Sequence, residues 1–269
     1  VQDGDICTVG SSTPLSVVAY LLAKNTHAPH LVIIPFAGLM DVDPYPMTLT
    51  NAEPLALRNC VDYWGMDELY EWLYQKGRIS EEIFTTAQID GSGNLNTSVI
   101  GDPRGRSVRL PGQAGIADVT NLHQNLVVYS CRHTKERLVD RVDYISGSRV
   151  LAKPEDREAV NLRPGSQRVM TNLGVFELNE DTHKLELISI HPGVTIEEIE
   201  RNTGFPIIKA KEITTTEPPT AEELRLIREM VDPFGIRRLE SVDSADRLGL
   251  LREIFTAEAE WLLGRQPPL

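Results

Sequence analysis

Apolar positions along this chain alternate between short continuous runs and helical spacing. Ile6–Val9 is a short apolar run closed by Gly10, and Ser11, Ser12, Thr13 and Pro14 lead into Leu15, Val18, Leu21 and Leu22. That order reads as strand, turn and helix, with polar residues and a proline at the helix start. Leu31–Ile34 predicts a second buried strand closed by Pro35, and Asp67–Lys76 a helix carrying Leu69, Trp72 and Leu73. Ile83–Ile89 and Leu126–Tyr129 predict two further strands. Strands alternating with helices point to an α/β fold with a mainly parallel sheet.

The second half changes character. Arg168–Leu178 and Leu185–Ile190 read as two strands around a turn at Asn179–Lys184. Thr195 with Glu198, and Thr220 with Glu223, have capping-box spacing, so helices should start at both threonines. Ser244–Leu263 predicts a last helix stopped by Pro267 and Pro268, and Ser146–Gln167 is the strongest candidate for a loop or linker. There is no internal repeat. A length of 269 residues suits one large α/β domain over 1–269, with the stretch from about 234 to 269 as a C-terminal extension.

Charge and cysteine content narrow the function. A net charge of -12 opposes binding to phosphate backbones, so nucleic acid is not expected as a partner; an anionic ligand would need a local patch of donors. Cys7, Cys60 and Cys131 are too sparse for a disulfide framework or zinc spacing, which fits a reduced, cytoplasmic setting; no metal site is expected. No apolar run is long enough to cross a bilayer, and Val1 stands so close to the first strand that a removed leader segment stays open.

Several segments, taken in order, carry a family likeness. They are Ala28-Pro29 through Pro35-Phe36-Ala37-Gly38-Leu39-Met40-Asp41; Thr86-Ala87-Gln88-Ile89-Asp90 with Gly93-Asn94-Leu95-Asn96; Leu110-Pro111-Gly112-Gln113-Ala114-Gly115; and His133 through Arg137 with Val142-Asp143-Tyr144. Asn172-Leu173-Gly174-Val175-Phe176, His191-Pro192-Gly193-Val194-Thr195, Thr203-Gly204-Phe205 and Asp232-Pro233 complete the series. Together the chain resembles the β subunit of a family I CoA-transferase of the glutaconate CoA-transferase kind. The resemblance implies an open three-layer α/β fold with a mainly parallel sheet (CoA-transferase/NagB-like). It also implies an α-type partner subunit in an α2β2-like assembly. A coenzyme A thioester would bind as substrate, with no permanently bound cofactor.

In that family a β-subunit glutamate just after a buried strand attacks the thioester, dividing one hard acyl exchange into easier covalent steps. The resemblance places Phe36 at that position, with Ala37 and Gly38 beside it. Phenylalanine offers neither nucleophile nor titratable group, and the neighbouring Asp41 already matches the family's own aspartate. Some branches of the family lack the glutamate and decarboxylate or hydrolyse acyl-CoA compounds, so the resemblance implies a non-transferase reaction here. The alternatives are an active CoA-transferase with a nucleophile from the partner or from Cys60, and a non-catalytic supporting subunit; a sugar-phosphate isomerase-like activity on a related fold is more remote.

Other groups are each open to two readings. Gly112, Gln113, Ala114 and Gly115 are either a turn after Pro111 or a loop whose N–H groups polarise a thioester oxygen. Gln88, Asn94 and Asn96 are either pocket amides that orient a substrate or parts of a turn signalled by Gly93-Asn94. Gly10-Ser11-Ser12-Thr13 is a helix cap or an anion site, and Asp118 a surface cap or a family site position. Lys135, Arg137 and Arg141 form a basic cluster that is either solvated or facing an anion, and His133 and His191 read as structural. Tyr70, Trp72 and Tyr74 read as an aromatic helix face packed in the core or against a partner.

Overall fold

In the computed structural model, described residues are 1–10, 13–35, 38–42, 46–49 and 60–264. The chain forms two compact units, Val1–Met66 with Pro219–Leu269, and Asp67–Pro218.

In the first unit β1 (Ile6–Val9) pairs in parallel with β2 (Val32–Pro35). The connecting helix, Pro14–Lys24, has its proline in the first turn as the sequence predicts. Thr13 does not cap it by the usual route, because its hydroxyl donates to Gly10 O at 2.9 Å. A carboxylate from far along the chain supplies an acceptor instead, since Leu15 N–H donates to Glu240 Oε1 at 2.9 Å. The segment beyond residue 234 is thus built into this unit, as a 3-10 turn Ile236–Glu240 and the helix Arg247–Gly264. Glu258, buried on that last helix, also accepts from Leu49 N–H at 2.7 Å. Asp232, buried, accepts from Ile236 N–H at 2.7 Å and from Arg237 Nη1 at 2.6 Å, which fixes the turn into the C-terminal segment. A short antiparallel pair, β3 (Leu39–Met40) and β4 (Asp62–Tyr63), also belongs to this unit.

The second unit is organised around β10 (Asn125–Ser130). Strand β10 pairs in parallel with β5 (Glu81–Thr85) on one side and β12 (Gln167–Thr171) on the other. From Leu126 to Ser130 every residue of β10 is buried, which is how a parallel strand covered on both faces reads in sequence. Beyond β12 the sheet turns antiparallel through β13 (Gly174–Asn179) and β14 (Lys184–Ile190), then parallel again at β15 (Ile208–Thr215). Leu126, Val128, Val169, Phe176 and Leu187 form the sealed centre of this unit. A smaller three-stranded sheet joins β6 (Gln88–Asp90), β7 (Leu95–Asn96) and β11 (Leu138–Val139), and a hairpin is formed by β8 (Val99–Gly101) and β9 (Ser107–Arg109). The fold is α/β with mixed strand pairing.

Two strands expected as single runs are each divided. The run Ile83–Ile89 breaks at Thr86, whose hydroxyl donates to Asn96 O at 2.8 Å and carries the chain out of the β10 sheet into the small one. The run Arg168–Leu178 breaks at Asn172-Leu173, where Thr171 Oγ1 accepts from the N–H groups of Leu173 and Gly174, both at 3.1 Å. The local signals at Thr195 and Thr220 hold: Thr195 accepts from Glu198 N–H, and Thr220 with Glu223 forms a full reciprocal capping box. The expected loop at 146–167 carries the helix Pro154–Ala159.

His133 and His191 tie the ends of these strands together. Thr171 Oγ1 accepts from two N–H groups, and its own hydrogen is shared between Gly174 O at 3.1 Å and His133 Nδ1 at 2.8 Å. His133 Nε2–H then donates to Thr203 Oγ1 at 2.8 Å, whose hydroxyl donates to Ile199 O at 2.7 Å. The network is complete with a neutral ring, and burial pushes the imidazole down to about 4. An unfolded histidine takes up a proton below about 6.5. Between about 6.5 and 4 the unfolded chain therefore binds more protons, and stability falls as pH falls through that window. His133→Gln is expected to flatten the decline in Tm between pH 6.5 and 4.5 while leaving the steeper loss below it. An unchanged slope in thermal melts would refute this assignment. His191 is likewise engaged, with Nε2 on Thr171 O at 2.8 Å and Nδ1 on Thr216 Oγ1 at 2.7 Å.

Candidate functional site

Phe36 and Ala37 lie outside the described residues, as do Ser11 and Ser12. Gly38, next in the chain, has φ +76°, and a Cβ there would strike the backbone oxygen of Trp64. Trp64 N–H in turn donates to Gly38 O at 2.9 Å, so glycine is the residue that lets β3 close against β4. Asp41 follows, with Lys24 Nζ 2.9 Å from its Oδ1. Cys60, half-buried, stands just before β4, and its thiol is unbridged, as are those of Cys7 and Cys131.

The remaining candidates all belong to the second unit, where the structure brings most of them together. Gln88 and Asn96 face each other across the β6–β7 pair, with Asn96 Nδ2 donating to Gln88 Oε1 at 2.7 Å. Gln88 Nε2 donates to Asp143 Oδ2 at 2.9 Å, and Asp143 N–H returns a bond to Gln88 Oε1 at 3.1 Å. Asn96 also donates to Val99 O at 2.6 Å and accepts from Ser98 N–H at 3.0 Å. Both amides are buried with nitrogen and oxygen each engaged by these partners, and they organise the turn that launches the β8–β9 hairpin. Asn94 shapes the preceding turn, its Nδ2 donating to Asp90 Oδ2 at 3.0 Å. Sequence reasoning missed Asp143 and Ser146 as members of this network. Ser146 Oγ accepts from Thr97 N–H at 2.9 Å, and nothing local in either stretch signals a partner some fifty residues away.

Thr97 connects the network to the loop at 112–115. Gly112 N–H donates to Thr97 O at 3.0 Å, and Gly112 has φ +120° with open space where a side chain would project. Ala114 also lies in the left-handed region, at φ +44°, and Gly115 begins the helix Ile116–Leu122. Among the described residues the N–H groups of Gln113, Ala114 and Gly115 meet no acceptor. The loop therefore presents three successive donors while the fourth, on Gly112, is held by the scaffold. Thr97 Oγ1, buried, likewise has no hydrogen-bond partner among the described residues.

An aromatic stack underlies this loop. The hydroxyl of Tyr70 fills the space a Cβ on Gly115 would need. Tyr70 stacks on buried Tyr74 with ring centroids 4.5 Å apart, and Tyr74 meets His123 edge-on at 4.5 Å. Burial, then the carboxylates of Asp118 and Glu82, push the Tyr70 phenol up, so it stays protonated. Trp72, on the same helical segment, is 52% exposed and takes no part in the stack. Asp118 sits exposed in the first turn of the helix Ile116–Leu122.

The other end of that helix is held by two buried arginines. Arg157 donates to the carbonyls of Asn121 (2.6 Å), His123 (2.8 Å) and Arg163 (2.6 Å), and Arg149 to Gln124 O at 2.6 Å. Burial, and then its neighbour Arg157, lower the Arg149 guanidinium to about 9. Lys135 and Arg141 remain exposed, while Arg137 contributes its carbonyl to Ile89 N–H at 2.7 Å. Among the described residues no three His, Cys, Asp or Glu side chains cluster as metal ligands, and no helix is long and apolar enough to cross a membrane.

The whole arrangement has known relatives. The chain is 29% identical over 241 residues to the β-type subunit of glutaconate CoA-transferase from Acidaminococcus fermentans, covering 87% of this chain and 88% of that one. Its fold matches a crystal structure of the decarboxylase AibA/AibB with TM-score 0.77 at 24% identity, over 89% of this chain and 92% of the other. It matches IpdAB of Rhodococcus jostii RHA1 with TM-score 0.71 at 29% identity, over 88% and 91%. The family model for coenzyme A transferase matches residues 1–202, and the chain therefore belongs to the coenzyme A transferase family, as a β-type subunit.

Proposed function

We propose that this chain is the β-type subunit of a two-subunit acyl-CoA enzyme that decarboxylates or hydrolyses its thioester substrate instead of transferring CoA. The observation that carries this reading is Phe36, which stands where the family resemblance puts the nucleophilic glutamate. Without a carboxylate there, no anhydride and no glutamyl thioester can form on this residue. An apolar side chain beside the thioester would keep water from the carbonyl, which favours decarboxylation through the substrate's own carboxylate over hydrolysis. An α-type partner is supported by relatives that carry subunit names and by the two-component names of the solved AibA/AibB and IpdAB. Relatives described as a decarboxylase and as a cholesterol ring-cleaving hydrolase subunit support a reaction other than transfer.

The loop at Gln113, Ala114 and Gly115 is the electrostatic part of the proposal. A left-handed residue among successive free N–H groups makes a concavity that receives an anionic oxygen. On decarboxylation the C–CO2 bond breaks, its electron pair enters the thioester enolate, and a proton then reaches carbon. The enolate oxygen is the charge those donors would meet. On hydrolysis the same donors would meet the tetrahedral oxyanion before the thiolate leaves. Gly112 serves by anchoring the loop through Thr97, while Gln88, Asn94 and Asn96 hold its base; the family resemblance alone assigns Ala37 and Gly38, with Phe36, to substrate binding.

The test is mass spectrometry of dicarboxylic acyl-CoAs incubated with the complex of both subunits, with and without a free carboxylic acid acceptor, in oxygen-18 water. Release of carbon dioxide with CoA retained assigns a decarboxylase, and free CoA with labelled acid assigns a hydrolase. Turnover that requires the acceptor, with CoA appearing on it, would overturn the reading of Phe36. In that event an acyl or CoA adduct on Cys60 would locate the replacement nucleophile.

A further inference from the structure

The β8–β9 hairpin is a basic, partly apolar projection on an acidic chain, and neither the network at its base nor the loop after it uses its outer side chains. Residues 102–109 are all exposed. Arg104, Arg106 and Arg109 form no ion pair with any carboxylate among the described residues, although the chain carries 39 acidic side chains and a net charge of -12. Asp102, within the hairpin, spends its carboxylate on the turn, accepting from Arg104 N–H at 2.8 Å. The antiparallel register sets Ile100 opposite Val108, and both are exposed, at 37% and 62%. Arg106 lies in the turn directly before Ser107, at the tip side of the apolar pair.

The hairpin is rigidly joined to the donor loop. Its ladder continues past the strands, with Leu110 N–H donating to Ser98 O at 2.9 Å and Gly112 N–H to Thr97 O at 3.0 Å. Gly101 N–H donates to Asp143 Oδ2 at 2.9 Å, which ties the stem to Gln88. The five residues from Gly112 back to Ser107 reach at most roughly 17 Å. The pantetheine arm of coenzyme A, about thirteen bonds from sulfur to the first phosphorus, spans roughly 16 Å when extended. A thioester oxygen held at Gln113–Gly115 would thus deliver the diphosphate to the arginine-bearing turn.

We propose that this hairpin binds the nucleotide end of the acyl-CoA, with Arg104 and Arg106 on its phosphates and the Ile100–Val108 pair beneath its adenine. The inference rests on the acyl-CoA reading above and adds where the charged end of that substrate lies. Guanidinium forks suit phosphate oxygens, and an apolar cross-strand pair is a platform for a base.

The experiment is calorimetric titration of the assembled two-subunit complex with coenzyme A and, separately, with pantetheine, for wild type and for R104A/R106A. Both side chains are exposed, so the variant is expected to fold and assemble as wild type. The expected result is CoA affinity about 10- to 100-fold weaker in the variant, pantetheine affinity unchanged, and a shallower salt dependence for CoA. Unchanged CoA affinity in the variant would overturn the hairpin assignment while leaving the acyl-CoA reading intact. Wild-type complex that binds neither CoA nor pantetheine would overturn that reading and this inference with it. A variant that folds but no longer joins its partner would assign the hairpin to the subunit interface and overturn it as well.

Discussion

Replacing Arg157 by alanine is expected to remove about 4 kcal/mol or more of stability, a large part of the ~5–15 kcal/mol that a domain of this kind has. Arg157 is wholly buried and pairs with no carboxylate among the described residues; its guanidinium instead collects the carbonyls of Asn121, His123 and Arg163. Two of these belong to the C-terminal end of the helix Ile116–Leu122, where a helix leaves its last carbonyls without partners and carries partial negative charge. Truncation orphans those carbonyls at about 1–3 kcal/mol each and leaves a cavity besides. The side chain is fully buried, which leaves water little access to take over the bonds, and the same burial lowers the guanidinium. Lysine keeps the charge but not the fork, so Arg157→Lys should recover only part of the loss. Arg149→Ala should cost less, because two of its three carbonyl contacts are long, at 3.4 Å. Urea denaturation of the three variants tests the ranking. A loss under about 1 kcal/mol for Arg157→Ala would mean that the helix end is satisfied some other way.

That residue marks where the sequence ceases to be legible. Arg157 sits in Pro-Glu-Asp-Arg-Glu-Ala, a segment that reads as a solvated face within an expected loop, yet the arginine points inward. Nothing local could signal this, since the carbonyls it serves lie up to 36 residues away. The same holds for the strand break at Thr86, caused by Asn96 ten residues on. Features that depend on near neighbours were readable: the proline-started helix Pro14–Lys24, the capping threonines, and the buried runs of β1, β2 and β10. Among the candidate residues, Gln88 and Asn96 bond to each other and Gly112 bonds to Thr97, the residue after Asn96, so one network holds all three. The division of labour within that network was not readable, because an amide that binds substrate and one that braces a turn have the same sequence signature. Only the partner atoms separate them.

The Gly115→Ala variant is expected to lower kcat by about 100-fold with little change in folding, and Tyr70→Phe in the same chain is expected to restore most of it. The reasoning is geometric. A methyl group on Gly115 would collide with the Tyr70 hydroxyl, whereas the ring carbon behind that oxygen is 3.5 Å from the same point, an ordinary contact. Tyr70 cannot swing aside cheaply, because its ring is stacked on Tyr74, which is buried against His123. The loop must therefore move in the single variant, and with it the donors of Gln113, Ala114 and Gly115 leave the place proposed for the oxyanion. Removing the hydroxyl reopens the space without touching the loop, so the two changes should be strongly non-additive. Tyr70→Phe alone should be nearly neutral, since no hydrogen bond of that hydroxyl is found among the described residues. Steady-state kinetics of the four proteins in complex with the partner subunit close the cycle. If both changes reduce kcat additively, or Gly115→Ala alone leaves it intact, the loop is a turn that shapes the fold and the donors for the thioester oxygen lie elsewhere.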